Sequence, residues 1–318
     1  MGRPVAPALP FMPIPFPSFV WRPLLNDVVR RWLRWAMLLW AGASACIGAT
    51  AQHITDDRGV TVRFEAPPRR IVTLLPSLAE TVCALGQCQR LVGVDRYTNW
   101  PAELVQLPRL GGGLDPSVEA VLALRPDAVL LAQSARVIPQ LERLGLKVIA
   151  LEPRTHADVL RVLEQVATLL GQSPHVGRAV WRQIDADVTA VAQALPARAR
   201  RARVYYEADS GPYAAGPHSF IGETLSRLGV GNIVPPQLGP FPRLNPEFVV
   251  RADPDVIMVG IHNAGDMAQR PGWAALRAVR EQRRCVFNAA ETDVLMRAGP
   301  RLAEGARIMA RCLAEKAP

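Results

Sequence analysis

Side chains able to do chemistry stand in four arrangements along this sequence. Asp293-x-x-x-Arg297 sets a carboxylate and a guanidinium one helical turn apart, where they either pair with each other or reach together for a polar ligand. Tyr213 and Phe241 ride on stiff turns, Gly211-Pro212-Tyr213 and Gly239-Pro240-Phe241-Pro242, while Tyr97 and Trp100 precede Pro101 in another loop. Rigid aromatic faces on loops suit a large planar ligand with a few polar contacts at its rim; the plain alternative for each is packing on its own half of the chain. Glu119 and Glu247 take matched places in a repeated segment. Pro116-Ser117-Val118-Glu119 leads to Pro126-Asp127-Ala128-Val129, and Pro246-Glu247-Phe248-Val249 leads to Pro254-Asp255-Val256-Ile257, with the same Glu to Pro-Asp spacing. A generic helix–strand joint explains the Pro-Asp, since proline ends the helix and aspartate bonds backbone in the turn. It leaves the matched glutamates unexplained.

The fourth arrangement is the cysteines. Cys83, Cys88, Cys285 and Cys312 stand beyond the N-terminal segment. Their even number permits two disulfides in an exported chain, most simply Cys83–Cys88 and Cys285–Cys312, with free thiols as the alternative. The paired C-x-x-C spacing of a metal site is absent from the sequence. So are a G-x-S-x-G elbow, a P-loop, and a G-x-G-x-x-G after a strand; His156, His175, His218 and His262 are isolated. No enzyme is expected.

The charge balance first suggests a polyanionic partner: 37 Lys+Arg against 28 Asp+Glu, a formal +9. Only two of the 37 are lysines, Lys147 and Lys316, and the arginines are scattered, never in a run longer than two. That pattern reads as a coding bias rather than a phosphate-tracking surface, so no nucleic acid is expected. Residues 1–29 are proline-rich. Arg30, Arg31 and Arg34 then precede an apolar run over Trp35–Ala45, followed by Ala49-Thr50-Ala51. This is the layout of a cleaved signal peptide, with the run too short for a span of about 20 residues. Residues 1–51 are expected to be a signal peptide with an N-terminal extension. An uncleaved anchor, a lipid anchor at Cys46 and a later translation start are the alternatives.

These side chains need elements to position them. Apolar runs at Ile71–Leu75, Leu91–Val94, Ala128–Ala132 and Lys147–Leu151 alternate with helical stretches at Leu78–Leu85, Val118–Leu124 and Val137–Leu144. The second half repeats the plan, with strands at Arg203–Glu207, Val256–Gly260 and Cys285–Asn288 and helices at Ser219–Leu228 and Pro300–Ala314. Strands alternating with helices imply parallel sheets covered on both faces. Between the halves, His175–Leu195 carries apolar residues at helical period, and about 20 helical residues reach about 30 Å, enough for one rigid strut. The expected organisation is an α/β lobe over 69–170, a connecting helix over 173–196 and a second α/β lobe over 202–318.

Pro76-Ser77-x-x-Glu80 after a strand, Val92-Gly93-Val94-x-x-Tyr97-x-x-x-Pro101, Glu119 leading to Arg125-Pro126-Asp127, and Leu144-Gly145-x-Lys147-Val148 together resemble the helical-backbone substrate-binding proteins of ABC importers. The resemblance covers about residues 69–315 and is strongest to the vitamin B12-binding branch. It implies two Rossmann-like lobes with parallel sheets joined by one long helix, the class III periplasmic binding fold, with no cofactor or metal of its own. The ligand it implies is cobalamin or a related corrinoid, with haem or a ferric siderophore as the alternative. It implies ligand contacts at Tyr97, Trp100, Tyr213, Phe241, Asp293 and Arg297. Glu119 and Glu247 would dock onto a permease dimer in the inner membrane, and the protein would act as a periplasmic monomer. Glycines and small residues near Gly111-Gly112-Gly113 and Ala132-Gln133 replace tryptophans of that branch. Ser77 stands where a zinc- or manganese-binding relative carries histidine, and Tyr97 shares a loop with the ligating tyrosine of haem-binding relatives.

Overall fold

A computed structural model describes residues 51–265 and 267–318. The expected export segment up to residue 50, with Cys46, lies outside them. Among the described residues no helix is long and apolar enough to cross a membrane.

The described chain opens with an antiparallel hairpin, β1 (Gln52–Thr55) and β2 (Thr61–Phe64), which the sequence patterning did not suggest. Asp56, 5% exposed, builds its turn. Its carboxylate accepts from the Arg58 and Val60 amides at 3.0 and 3.1 Å and from the Ala150 amide at 3.1 Å, which also fastens the hairpin to the first sheet.

That sheet is parallel throughout. It contains β3 (Ile71–Thr73), β4 (Leu91–Val94), β5 (Ala128–Leu131) and β6 (Val148–Ala150) in the order β4-β3-β5-β6. The connecting helices are α1 (Pro76–Ala84), α2 (Val118–Ala123) and α3 (Ile138–Arg143). Then come α4 (His156–Leu169), opened by a Thr155/Asp158 capping box, and α5 (Pro174–Ala194).

The second lobe contains β7 (Arg203–Asp209), β8 (Tyr213–Ala214), α6 (Phe220–Arg227), β9 (Gly231–Asn232), α7 (Pro246–Ala252) and β10 (Val256–Gly260). Next are α8 (Ile261–Ala264), α9 (Arg277–Arg280), β11 (Arg284–Phe287), α10 (Ala289–Leu295) and α11 (Leu302–Lys316). Its sheet runs β11-β10-β7-β8, with β9 also on β7; β8 alone among its strands is antiparallel.

The repeated Pro-Asp joint does more than stop a helix. Arg125 and Asp253, the residues before each proline, both take left-handed backbone, φ 45° and 42°, consistent with the exclusion of right-handed helix before proline. The aspartate then bonds a neighbouring strand rather than its own turn. Asp127 Oδ2 accepts from the Arg69 and Arg70 amides at 2.8 and 2.9 Å, at the start of β3. Asp255 Oδ2 accepts from the Arg203 amide at 2.9 Å, at the start of β7. In each lobe the joint thus sets the register of a central strand.

The 21 residues of α5 span about 31 Å. Its first turns lie against α4 so closely that a Cβ on Gly177 would come within 2.6 Å of the Leu163 carbonyl, and Arg178 pairs with Glu164. Its later turns belong to the second lobe, through Asp185–Arg227 at 2.6 Å and Asp187–Arg307 at 3.0 Å. One apolar cluster runs from Ile71, Leu78 and Leu130 through Leu163, Ile184 and Val188 to Val204, Tyr206 and Met309. The inner faces of both sheets therefore share a core, which opposes large hinge motions. Separate clusters cover the outer faces, around Val72 and Leu141 in one lobe and Tyr205 and Trp273 in the other.

Candidate functional site

Parallel sheets place their loops, and hence their ligands, beyond the carboxyl ends of the strands. In the first lobe those loops bring Leu75, Pro76 and Ser77 after β3, Tyr97 after β4, and Glu152 and Pro153 after β6 to one cleft. The second lobe adds Phe220 from α6 and Asp293, Met296, Arg297 and Ala298 from α10 and the turn after it, around a cavity of about 310 Å³. At one end the lobes touch: a Cβ on Gly299 would lie 3.2 Å from Ser77 Cβ.

Tyr97, Asp293 and Arg297 are thus brought together. The Asp293–Arg297 pair forms at 3.3 Å, but Arg297 is only 7% exposed and chiefly engages the opposite lobe. Its Nη1 donates to Glu80 Oε1 at 2.8 Å and to Asn99 Oδ1 at 2.9 Å; its Nη2 donates to the Tyr97 carbonyl at 2.8 Å. Asn99 Nδ2 donates to Asp293 Oδ2 at 2.6 Å. Glu80, fully buried on α1, is pushed above the ordinary carboxylate range by burial, against the pull of Arg297. The cleft's guanidinium is therefore already paired, and Glu152 in the lining is held by the Ser134 amide at 2.9 Å and Arg154 at 3.3 Å.

Tyr97 itself is 60% exposed. Its amide donates to Asp95 Oδ1 at 2.7 Å, and Thr98 Oγ1 donates to the same carboxylate. Burial raises the Asp95 pKa against these bonds. Trp100 lies beside Tyr97 in sequence but outside the cavity lining, with the Arg301 guanidinium 5.0 Å from its ring centre. Tyr213, in β8, and Phe241 also lie outside that lining. Phe241 packs against Phe220, ring centres 6.1 Å apart, so Phe220 is the aromatic the second lobe presents there. Phe220, Glu152 and Met296 were not singled out from sequence. Glu152 follows directly on a strand-like run, the one local signal that could have found it.

A second inter-lobe joint uses His156, at the start of α4. Its amide donates to Glu223 at 2.6 Å, and its Nε2 lies 2.9 Å from Thr224 Oγ1 and 3.2 Å from the Phe220 carbonyl. Because Thr224 Oγ1 already donates to that carbonyl, Nε2 must be the donor. Trp181 packs edge-on against the ring. Burial lowers the His156 pKa from 6.5, Glu223 and Asp185 pulling it up and Arg227 down. Between that lowered value and 6.5 the unfolded chain holds a proton that the folded chain lacks, so stability falls as pH drops below about 6.5. Thermal melts from pH 7.5 to 4.5 are expected to show a smaller acid-side loss in His156→Gln than in the parent.

Glu119 and Glu247 occupy the first turns of α2 and α7, with Ser117 and Asn245 as N-caps. Each helix runs back to the start of β5 or β10, so both acids lie toward the carboxyl ends of their sheets, where the cleft is. Glu119 is exposed, and the Glu247 side chain, 80% exposed, has Arg251 at 3.8 Å. Cys83 is bonded to Cys88 and Cys285 to Cys312. The second bridge fixes α11 to β11 across 27 residues, worth about 3.5 kcal/mol in the loop-entropy description. Among the described residues the three-residue set within metal-ligand reach is Cys83, Cys88 and Glu103, and its sulfurs are bonded to each other.

Residues 71–290 match the periplasmic binding protein family. A cobalamin-binding protein of Halobacterium salinarum is 33% identical over 216 residues, 65% of this chain but only 58% of that protein's length. An ABC transporter substrate-binding lipoprotein of Bacillus subtilis is 27% identical over 82% of this chain and 84% of its own. Among solved structures, the vitamin B12-binding protein BtuF of Vibrio cholerae superposes with a TM-score of 0.61 at 25% identity, covering 79% of this chain and 99% of that one. A haem-binding protein of Pseudomonas aeruginosa does so at 0.65 and 26%, covering 79% and 94%. With two α/β lobes on a single backbone helix and a cleft at the carboxyl ends of both sheets, this chain belongs to the periplasmic binding protein family.

Proposed function

We propose that the protein is the substrate-binding component of an ABC importer, capturing a cobalamin-type corrinoid in the inter-lobe cleft and delivering it to an inner-membrane permease. The observation that carries the ligand class is the charge state of the cleft. Glu152 and Asp293 retain lone pairs beyond their bonds to Arg154, Ser134, Arg297 and Asn99, and the one guanidinium of the lining, Arg297, already serves Glu80. A corrinoid is fringed by primary amides, which donate to carboxylates. Haem carries two carboxylates, which would face acceptors there rather than donors. The family membership and the cobalamin-binding relatives support the same reading. Tyr97 serves as an aromatic platform, with Phe220 opposite, and Tyr213, Phe241 and Trp100 extend the wall toward a ligand larger than the cavity. Glu119 and Glu247 meet basic patches on the two permease subunits. Residues 1–51 direct the monomeric protein to the periplasm and are removed.

Haem is the second reading, favoured by one observation: an exposed phenol on Tyr97 in the cleft, since tyrosinate ligates ferric haem. Calorimetric titration of the mature protein with cyanocobalamin, haemin and a ferric hydroxamate decides between them. Cyanocobalamin is expected to bind, about tenfold more weakly to Tyr97→Ala. Tight haemin binding with a Soret band lost in Tyr97→Phe, and no heat from any corrinoid, would replace the corrinoid reading.

A further inference from the structure

Tyr97 is held from both lobes at once. Its own lobe takes the amide, through Asp95. The opposite lobe takes the carbonyl, through Arg297 at 2.8 Å. The next residues are fastened the same way: Asn99 lies between Arg297 and Asp293, and Trp100 lies under Arg301. Apart from the Asn99–Asp293 bond, these second-lobe contacts depend on guanidinium groups that are themselves mostly buried, Arg297 at 7% and Arg301 at 14% side-chain exposure. The carboxylate between them belongs to the first lobe. Glu80 Oε1 is 2.8 Å from Arg297 Nη1 and 3.9 Å from Arg301 Nη1, and Glu80 has no exposed surface.

We infer that Glu80 is a positioning residue for the cleft: it never touches ligand, and it holds Arg297 and Arg301 where they fix the Tyr97–Trp100 loop across the lobes. Two neighbouring buried guanidinium groups repel each other, and a carboxylate between them offsets that repulsion. Asp293 and Glu304 pair with the arginines from the same lobe; Asp293 also takes Asn99 across the cleft, but neither brings a carboxylate of the first lobe to the guanidinium groups. Glu80 does, and its chemistry is specific. An uncharged acceptor keeps the bond to Arg297 but not the charge that holds the second guanidinium. The loop is thereby set before any ligand arrives, which lowers the ordering cost of binding. The consequence for affinity rests on the reading of Tyr97 as a ligand contact; the fixing of the loop does not.

Hydrogen exchange followed by mass spectrometry on the unliganded protein tests the fixing, and cyanocobalamin binding kinetics test its use. In Glu80→Ala, the amides of residues 96–98 are expected to exchange about tenfold faster or more, with α1 and the rest of the first lobe unchanged. Glu80→Gln is expected to recover part of the protection. Arg297→Lys, which keeps the charge but loses the fork to Asn99 and the Tyr97 carbonyl, is expected to loosen the same amides, and serves if Glu80→Ala does not fold. The ligand should leave faster from Glu80→Ala, with little change in its arrival rate. Unchanged exchange at 96–98 in the folded variants, or a rise spread evenly over the lobe, overturns the inference. Loop loosening in these variants, when the parent binds no corrinoid, leaves the inference standing and removes the corrinoid reading instead.

Discussion

Glu207→Ala is expected to lower the stability of the protein by about 3–5 kcal/mol, the usual cost of breaking a buried, hydrogen-bonded ion pair from one side. Glu207 sits near the end of β7 with its side chain fully buried. Its two oxygens accept from Arg270 Nη1 and Nη2 at 2.6 and 2.9 Å, a forked arrangement, and Oε2 also accepts from the Tyr205 hydroxyl at 2.9 Å. Arg270 in turn lies 4.7 Å from the Trp273 ring centre, and Tyr205 packs edge-on against the same ring. Alanine would strip two charge-assisted bonds from a guanidinium 14% exposed and leave a buried phenol without its acceptor, inside the outer core of the second lobe. In a protein of this size the loss corresponds to a drop in Tm of about ten degrees, read by circular dichroism. Glu207→Gln retains an acceptor but no charge and is expected to lose about 1.5–3 kcal/mol. Equal melting of parent and alanine variant would show that the pair contributes nothing net.

That network also marks where sequence patterning stops being informative. Glu207 and Arg270 are 63 residues apart, and the same holds more strongly for Glu80 and Arg297, separated by 217. A glutamate on a short helix reads locally as a solvated side chain. Only the approach of the second lobe buries it. The elements dominated by local physics were legible. The connecting helix runs from Pro174, behind a Ser173 cap, to Ala194, and β10 spans the apolar run after Pro254-Asp255. Both cysteine pairs lie on adjoining elements. Within the site, Asp293 and Arg297 could be paired from their spacing alone, yet the stronger partner of Arg297 could not. The aromatic loops were visible as loops, but nothing local distinguishes Phe241, which backs the wall, from Phe220, which forms it. The β1–β2 hairpin was missed because its strands are four residues each and its turn is organised by Asp56, whose third partner, the Ala150 amide, lies in another strand.

The double substitution Glu119→Arg/Glu247→Arg is expected to abolish permease-dependent uptake while leaving ligand affinity within about twofold of the parent. Neither acid lines the cavity, so the cleft is untouched. Both project from first helical turns at the cleft end of their lobes, where a carboxylate is also favoured by the helix N-terminus. On the proposed docking reading each meets cationic groups on one permease subunit. Juxtaposing like charges costs several kcal/mol per site, so two reversals together correspond to a loss of complex formation of more than about a thousandfold. The two single variants separate the sites. Because the lobes share a core and one connecting helix, a complex held at a single lobe remains aligned for the other, and each single reversal is expected to weaken binding by less than the square root of the double effect. Neutral Glu119→Gln/Glu247→Gln removes attraction without adding repulsion; its effect should fall mainly on the association rate and shrink as salt is raised. Uptake into vesicles carrying the permease, with the binding protein added from outside and ligand affinity measured in parallel, reads all of these. Undiminished uptake by the double arginine variant would exclude both acids from the docking surface.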